Sequence, residues 1–133
     1  MDPLDQLRSI IPNFPGYDDE DARQLTDELV RSYLGEALAR LTERFESRES
    51  SGGRMDDLLL RTGFTNQTAI KAYEERMRQH PDAAPMAAAD LETVALADRA
   101  ENVTQAELAD FLTNVAGVLD RRDAVMSGAL LTS

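Results

Sequence analysis

Histidine and cysteine supply most general bases, nucleophiles and metal ligands in proteins. This chain has one histidine, His80, and no cysteine. Thiol catalysis, zinc–thiolate sites and disulfides are therefore absent from the sequence together. His80 precedes Pro81 and follows Arg76 and Arg78. That is the place of a helix C-cap rather than of a tuned base. Helical di-metal sites take two Glu-x-x-His pairs, which one histidine cannot build. Five of the seven serines gather at Ser47, Ser50 and Ser51 and at Ser127 and Ser133. None of these sits in a glycine-flanked elbow. Ser51-Gly52-Gly53-Arg54 lacks the lysine and the spacing of a phosphate loop. Asp18-Asp19-Glu20-Asp21 opens a helix, where negative charge matches the dipole, so it reads as solvated charge rather than a cation site. Asp98–Asn102 has no central glycine for a calcium loop. No catalytic residue, metal site or cofactor is expected, and the chain is expected not to be an enzyme.

The sharpest local pattern is Leu58-Leu59-Leu60-Arg61-Thr62-Gly63-Phe64-Thr65-Asn66-Gln67-Thr68-Ala69-Ile70-Lys71. It resembles a helix-turn-helix: a short helix, a glycine turn, an apolar residue, a hydroxyl cap and a second helix. The resemblance implies that Thr65, Asn66, Gln67 and Lys71 face base edges and that Arg61, Arg76 and Arg78 contact phosphates. Two residues depart from the pattern. Leu59 stands where a small residue lets the helices cross, and Ile70 falls on the would-be recognition face. The charge around the segment also opposes phosphate. Residues 1–53 hold 12 acids and 6 bases, a net charge of -6, and residues 81–133 hold 9 acids and 3 bases, again -6. Residues 54–80 hold 4 acids and 5 bases, a net charge of +1. A DNA-binding regulator using 58–78 is thus the alternative, and nucleic acid is the disfavoured partner.

Leu58, Leu59 and Leu60 make the other informative feature. A short helix cannot bury three consecutive leucines on one face. Either a neighbouring element covers the third, or it stands exposed as part of an interface. These three residues are the expected contact site for a protein partner or for a second copy in a homodimer. Arg121-Arg122 and Arg44/Arg48 could pair across such an interface.

These residues must be positioned by helices. Apolar residues make up 42% of the chain but aromatic ones only 5%, so the core is mostly aliphatic, which suits packed helices. No alternating stretch long enough for a sheet is present. Residues 2–11 form a short amphipathic turn or helix, ended by Pro12, and Phe14 and Tyr17 fold back on the core. The long first helix runs over about 19–47, with a stripe of Leu25, Leu29, Tyr33, Ala37 and Leu41 broadened by Val30, Leu34, Leu38 and Phe45. Gly35 allows a close crossing. Linkers fall near 48–54 and 81–87. Between them lie a short helix, 55–61, and a second, 66–80, capped by Thr65 and buried through Ala69, Ile70, Tyr73 and Met77. A helix over 88–102 carries Leu91, Val94, Ala95 and Asp98 on one side, which makes Asp98 a candidate buried partner for an arginine such as Arg99 or Arg23. Thr104 and Glu107 form a capping box. The last helix, 105–128, has Leu108, Phe111, Leu112, Val115, Leu119 and Met126 inward, and Leu130 and Leu131 could dock behind it.

The expected architecture is a single all-α domain, 1–133, a bundle of four to five helices with the 19–47 helix as its spine. No apolar run spans a bilayer, and the start lacks a signal core, so no membrane partner and a cytoplasmic location are expected. The expected role is protein–protein interaction or assembly through helix faces. A second alternative is a bundle that holds an apolar ligand or a metal.

Overall fold

The computed structural model describes residues 2–45 and 54–128. Six α-helices order these residues, and no strand occurs among them: α1 (Pro3–Ile10), α2 (Glu20–Arg44), α3 (Arg54–Gly63), α4 (Gln67–Gln79), α5 (Ala84–Asp98) and α6 (Leu108–Ser127). Two 3₁₀ turns, Arg99–Asn102 and Gln105–Glu107, join α5 to α6. The protein is an all-α bundle. The linker at 49–53 and the leucines at 130 and 131 lie outside the described residues.

Side-chain caps open α1, α2 and α4. Asp2 accepts from the Asp5 amide at 2.9 Å. Asp19 accepts from the Ala22 amide at 2.8 Å. Each bond satisfies an orphan amide of a first turn. Thr104 and Glu107 form the expected reciprocal box, which opens the short turn before α6. The last helix ends on Gly128 at φ +82°. This is a left-handed cap that glycine adopts without strain. Arg76 donates to the last carbonyls there, Val125 O at 2.6 Å and Met126 O at 3.1 Å. It thereby adds a cation at the negative end of the dipole.

The spine is α2. One end, with Leu34, Ala37, Leu38 and Leu41, packs into a cluster with α3, the end of α5 and Phe111, Leu112, Val115 and Leu119 of α6. The other end, with Val30, packs into a cluster of Leu7, Ile11, Phe14, Tyr17, Tyr73, Met86, Val94 and Met126. Phe14 and Tyr17 fold inward as expected, edge to face at 6.0 Å, an arrangement that aromatic quadrupoles favour. Gly35 marks the α2–α3 crossing: a Cβ there would sit 2.9 Å from Thr62 Oγ1.

Four expectations require correction. The 81–87 connector is largely helix, because Pro85 occupies the first turn of α5, where its missing N–H costs nothing. The inward face of α5 is accordingly Met86, Ala87, Asp90, Thr93, Val94, Leu96 and Ala97, while Ala95 and Asp98 are exposed and Leu91 is half-buried. Asp98 is no buried partner of an arginine; it accepts from the Tyr33 hydroxyl on the surface. Leu25 is exposed, and Thr26, Asp27 and Arg31 turn inward instead, so the α2 stripe is polar at its N-terminal end. Thr65 does not cap α4; Asn66 does, accepting from the Ala69 amide at 3.0 Å.

Candidate functional site

Burying a charge costs several kcal/mol unless it is paired and hydrogen-bonded. At the α2–α5–α6 junction the chain buries four charged groups together. Arg122 of α6, 2% exposed, lies between two aspartates. Its Nε donates to Asp90 Oδ1 at 2.6 Å, and its Nη1 lies 2.7 Å from Asp27 Oδ1. The latter is an ion-pair contact without hydrogen-bond alignment. Asp90 also accepts from the Tyr17 hydroxyl at 2.6 Å. Asp27 Oδ2 accepts from Arg31 Nε at 2.9 Å and from the Thr65 hydroxyl at 3.1 Å. Arg31 then reaches Thr65 Oγ1 at 2.8 Å and the Thr62 carbonyl at 3.1 Å, which ties the α3–α4 turn to α2.

This environment shifts its members in opposite directions. Burial disfavours the Asp27 carboxylate, but the Arg122 and Arg31 guanidiniums outweigh it and hold Asp27 below the usual range. Burial lifts Asp90 above its usual range against the pull of Arg122 and Tyr17. Burial, reinforced by Asp90, raises the Tyr17 phenol. Burial opposes the Arg122 charge, but its two carboxylates outweigh that effect and raise it. The cluster is closed to solvent, so its evident work is to lock three helices and one turn together. A second pair does the same nearby: Arg23 grips Glu74 through Nη2 at 2.7 Å and Nε at 2.8 Å while Nη1 donates to the Tyr17 carbonyl.

The leucine triplet divides as its geometry demands. Leu58 is 3% exposed and part of the core, and Leu59 packs partly against it. Leu60 is 61% exposed, and Phe64, four residues on, is 69% exposed. Phe64 lines a cavity of about 190 Å³ together with Leu119 and Met126 and with Arg31, Arg61, Asn66, Arg122 and Asp123. Of the expected contact residues, then, only Leu60 stands at the surface. Phe64 joins it, and the sequence reading did not place it there.

The residues expected at nucleic acid are scattered in role. Arg61 Nη2 lies 3.1 Å from Asp120 and 3.3 Å from Asp123. Asn66 caps α4 and donates to Asp123 at 3.2 Å. Thr65 serves Asp27, Arg76 caps α6, and Arg78 pairs with Glu75 at 2.6 Å. Gln67 and Lys71 are exposed. The arginines expected to pair across an interface are used within the chain: Arg122 as above, Arg121 on Glu92, and Arg44 on the carbonyls of Ala100 and Val103. Arg48 lies outside the described residues.

A separate cleft of about 390 Å³, lined by Arg99, Asn102, Glu107, Asp110, Phe111 and Asn114, mixes both signs of charge, and its Glu107 is taken by the capping box. Among the described residues, no three of His, Cys, Asp and Glu gather where they could hold a metal ion. No helix there is long and apolar enough to cross a membrane. The chain matches no family model, and neither a curated protein nor a solved structure is similar to it.

Proposed function

We propose that the chain is a non-enzymatic interaction protein of the cytoplasm, acting through the end of α3 and the turn that follows it. The observation that carries this reading is the exposure of two large apolar side chains close in sequence, Leu60 near the end of α3 and Phe64 in the turn after it. Large apolar side chains are commonly exposed singly, whereas two exposed within five residues, one of them lining a cavity, suit a contact site. The turn is rigid because Arg31 and Thr65 fasten it to the buried Asp27. Preorganisation of this kind reduces the entropy lost on binding.

DNA binding is supported less well by the same residues. Three of the seven expected contacts, Arg61, Asn66 and Arg78, already face carboxylates, and Thr65 and Arg76 are held inside the fold. A labelled chain sedimented in an extract of its own cells tests the proposal. The wild type is expected to travel in a larger complex, and the Leu60→Ser/Phe64→Ser double variant as the free chain. Equal sedimentation of the two would remove this face as the working surface.

A further inference from the structure

The partner's chemistry can be read from the charges that surround the apolar pair. Asp56 and Asp57 precede Leu60 by four and three residues on α3, and both are exposed. Residues at these spacings share a helix face. On α6, Asp123 lines the cavity and Asp120 is exposed one turn before it. Arg61, the cation between them, is held by both, at 3.1 and 3.3 Å. Beneath the cavity, Arg31 and Arg122 are matched by the buried Asp27 and Asp90. Asp56 and Asp57, within about one turn of Leu60 on α3, and Asp120 and Asp123, paired with Arg61 from α6, are thus four carboxylates to the two cations of α3, Arg54 and Arg61.

A second copy of the chain fits this surface poorly. A twofold contact through the patch would bring the acidic residues of two copies into one interface. The chain as a whole carries -11, which adds to the repulsion. Two exposed side chains also offer far less than the roughly 800 Å² per partner of a stable interface between folded proteins. A short segment that inserts one or two side chains needs much less. The cavity measures about 190 Å³. An apolar cavity of about 150 Å³ holds benzene. The space has the volume of a single ring or branched aliphatic group, with Phe64, Leu119 and Met126 as its apolar wall.

Resting on the interaction reading above, we infer that the end of α3 binds a basic amphipathic helix of a partner protein. Its apolar stripe covers Leu60 and Phe64 and sends one side chain toward Leu119 and Met126. Its lysines or arginines meet Asp56, Asp57, Asp120 and Asp123. This is helix-in-groove recognition with a charged rim: the apolar anchors supply the affinity and the rim supplies selectivity and association rate.

The test uses the full chain, labelled with ¹⁵N, and three synthetic helical peptides with one common Leu/Phe stripe. Their polar faces are lysine, glutamate or glutamine. The lysine peptide is expected to shift the amides of 56–66 and 119–123 and to bind at least tenfold more tightly than the glutamine peptide. Asp56→Asn/Asp57→Asn/Asp120→Asn should remove most of that advantage, and Leu60→Ser/Phe64→Ser should remove the shifts. If the three peptides bind this face equally, the basic partner is refuted and the interaction reading stands. If the lysine peptide shifts amides elsewhere, or acts equally on the Leu60→Ser/Phe64→Ser chain, the site itself is refuted. If the chain instead self-associates through these residues in light scattering, a second copy replaces the basic helix as occupant.

Discussion

Arg122→Met isolates the contribution of the buried ion network. The substitution keeps most of the side chain's volume and removes the guanidinium. Asp27 keeps Arg31 at 2.9 Å and Thr65 at 3.1 Å, but Asp90 is left with only the Tyr17 hydroxyl. A fully buried carboxylate without a cation takes up a proton rather than stay charged. Drawing a group with an ordinary pKa of about 3.9 into its neutral form at pH 7 costs about 4 kcal/mol, at about 1.36 kcal/mol per unit. Burial already lifts Asp90 in the intact network, so that figure is an upper bound. We expect about 3–4 kcal/mol at pH 7, in line with the roughly 3–5 kcal/mol for breaking a buried pair. The melting point should drop by roughly 10–20 °C. The cost must also depend on pH. An acid whose folded pKa is raised contributes most stability below its unfolded pKa and loses it as pH rises through the folded value. The penalty should therefore shrink by roughly 1 kcal/mol per pH unit between pH 7 and pH 5. Asp90→Asn added to Arg122→Met should return roughly half of the loss at pH 7 and flatten the pH dependence. Urea unfolding of the three chains at pH 5, 6 and 7 gives these numbers. A penalty below about 1 kcal/mol, or one that does not change with pH, would refute the reasoning.

Asp27→Asn should cost on the order of 3 kcal/mol at pH 7. The folded pKa of Asp27 is lowered. Its contribution is therefore present above the unfolded value of about 3.9 and lost as pH falls through the folded value. The difference between wild type and Asp27→Asn in urea unfolding should accordingly begin to narrow only below about pH 4. The Cβ of Gly35→Ala would meet Thr62 Oγ1 at 2.9 Å. That change should be destabilising by roughly 1 kcal/mol despite the better helix propensity. Thr62→Ala in the same chain should reverse the sign, which thermal unfolding of the double-mutant cycle reads directly. Leu60→Ser/Phe64→Ser should leave stability within about 0.5 kcal/mol of wild type in urea, as suits exposed groups. Leu112 is fully buried in the larger cluster. Leu112→Ala should cost about 2–5 kcal/mol by the same assay.

The helices are legible in the sequence where the apolar period is clean. All six apolar residues expected to face inward on α6 do so, as do all four on α4. In α5 the run Met86, Ala87, Ala88 and Ala89 is apolar at every position, so no face stands out and the expected register slides. That slip puts Asp98 on the inner face and passes over Asp90, the charged residue that is buried there. Asp27, Arg31 and Arg122 are hidden for a different reason. Charge on a helix ordinarily marks its outer face, and burial of a charge depends on a distant opposite charge that no local pattern reveals. One local sign is present: Asp27 and Arg31 are four apart and flank the inward Val30. The leucine triplet is informative because three consecutive leucines cannot share a face. Phe64 reads as the apolar residue of a turn, yet Gly63 ends α3 there and leaves the ring outside.

The most direct test of the central claim is photo-crosslinking from position 64 in the cells that make the protein. Benzoylphenylalanine replaces Phe64 in one chain and Ala39, exposed on α2, in a control. A discrete crosslinked protein is expected from position 64, absent from position 39 and lost when Leu60→Ser is added. The same adducts from both positions, or none from position 64, would contradict it.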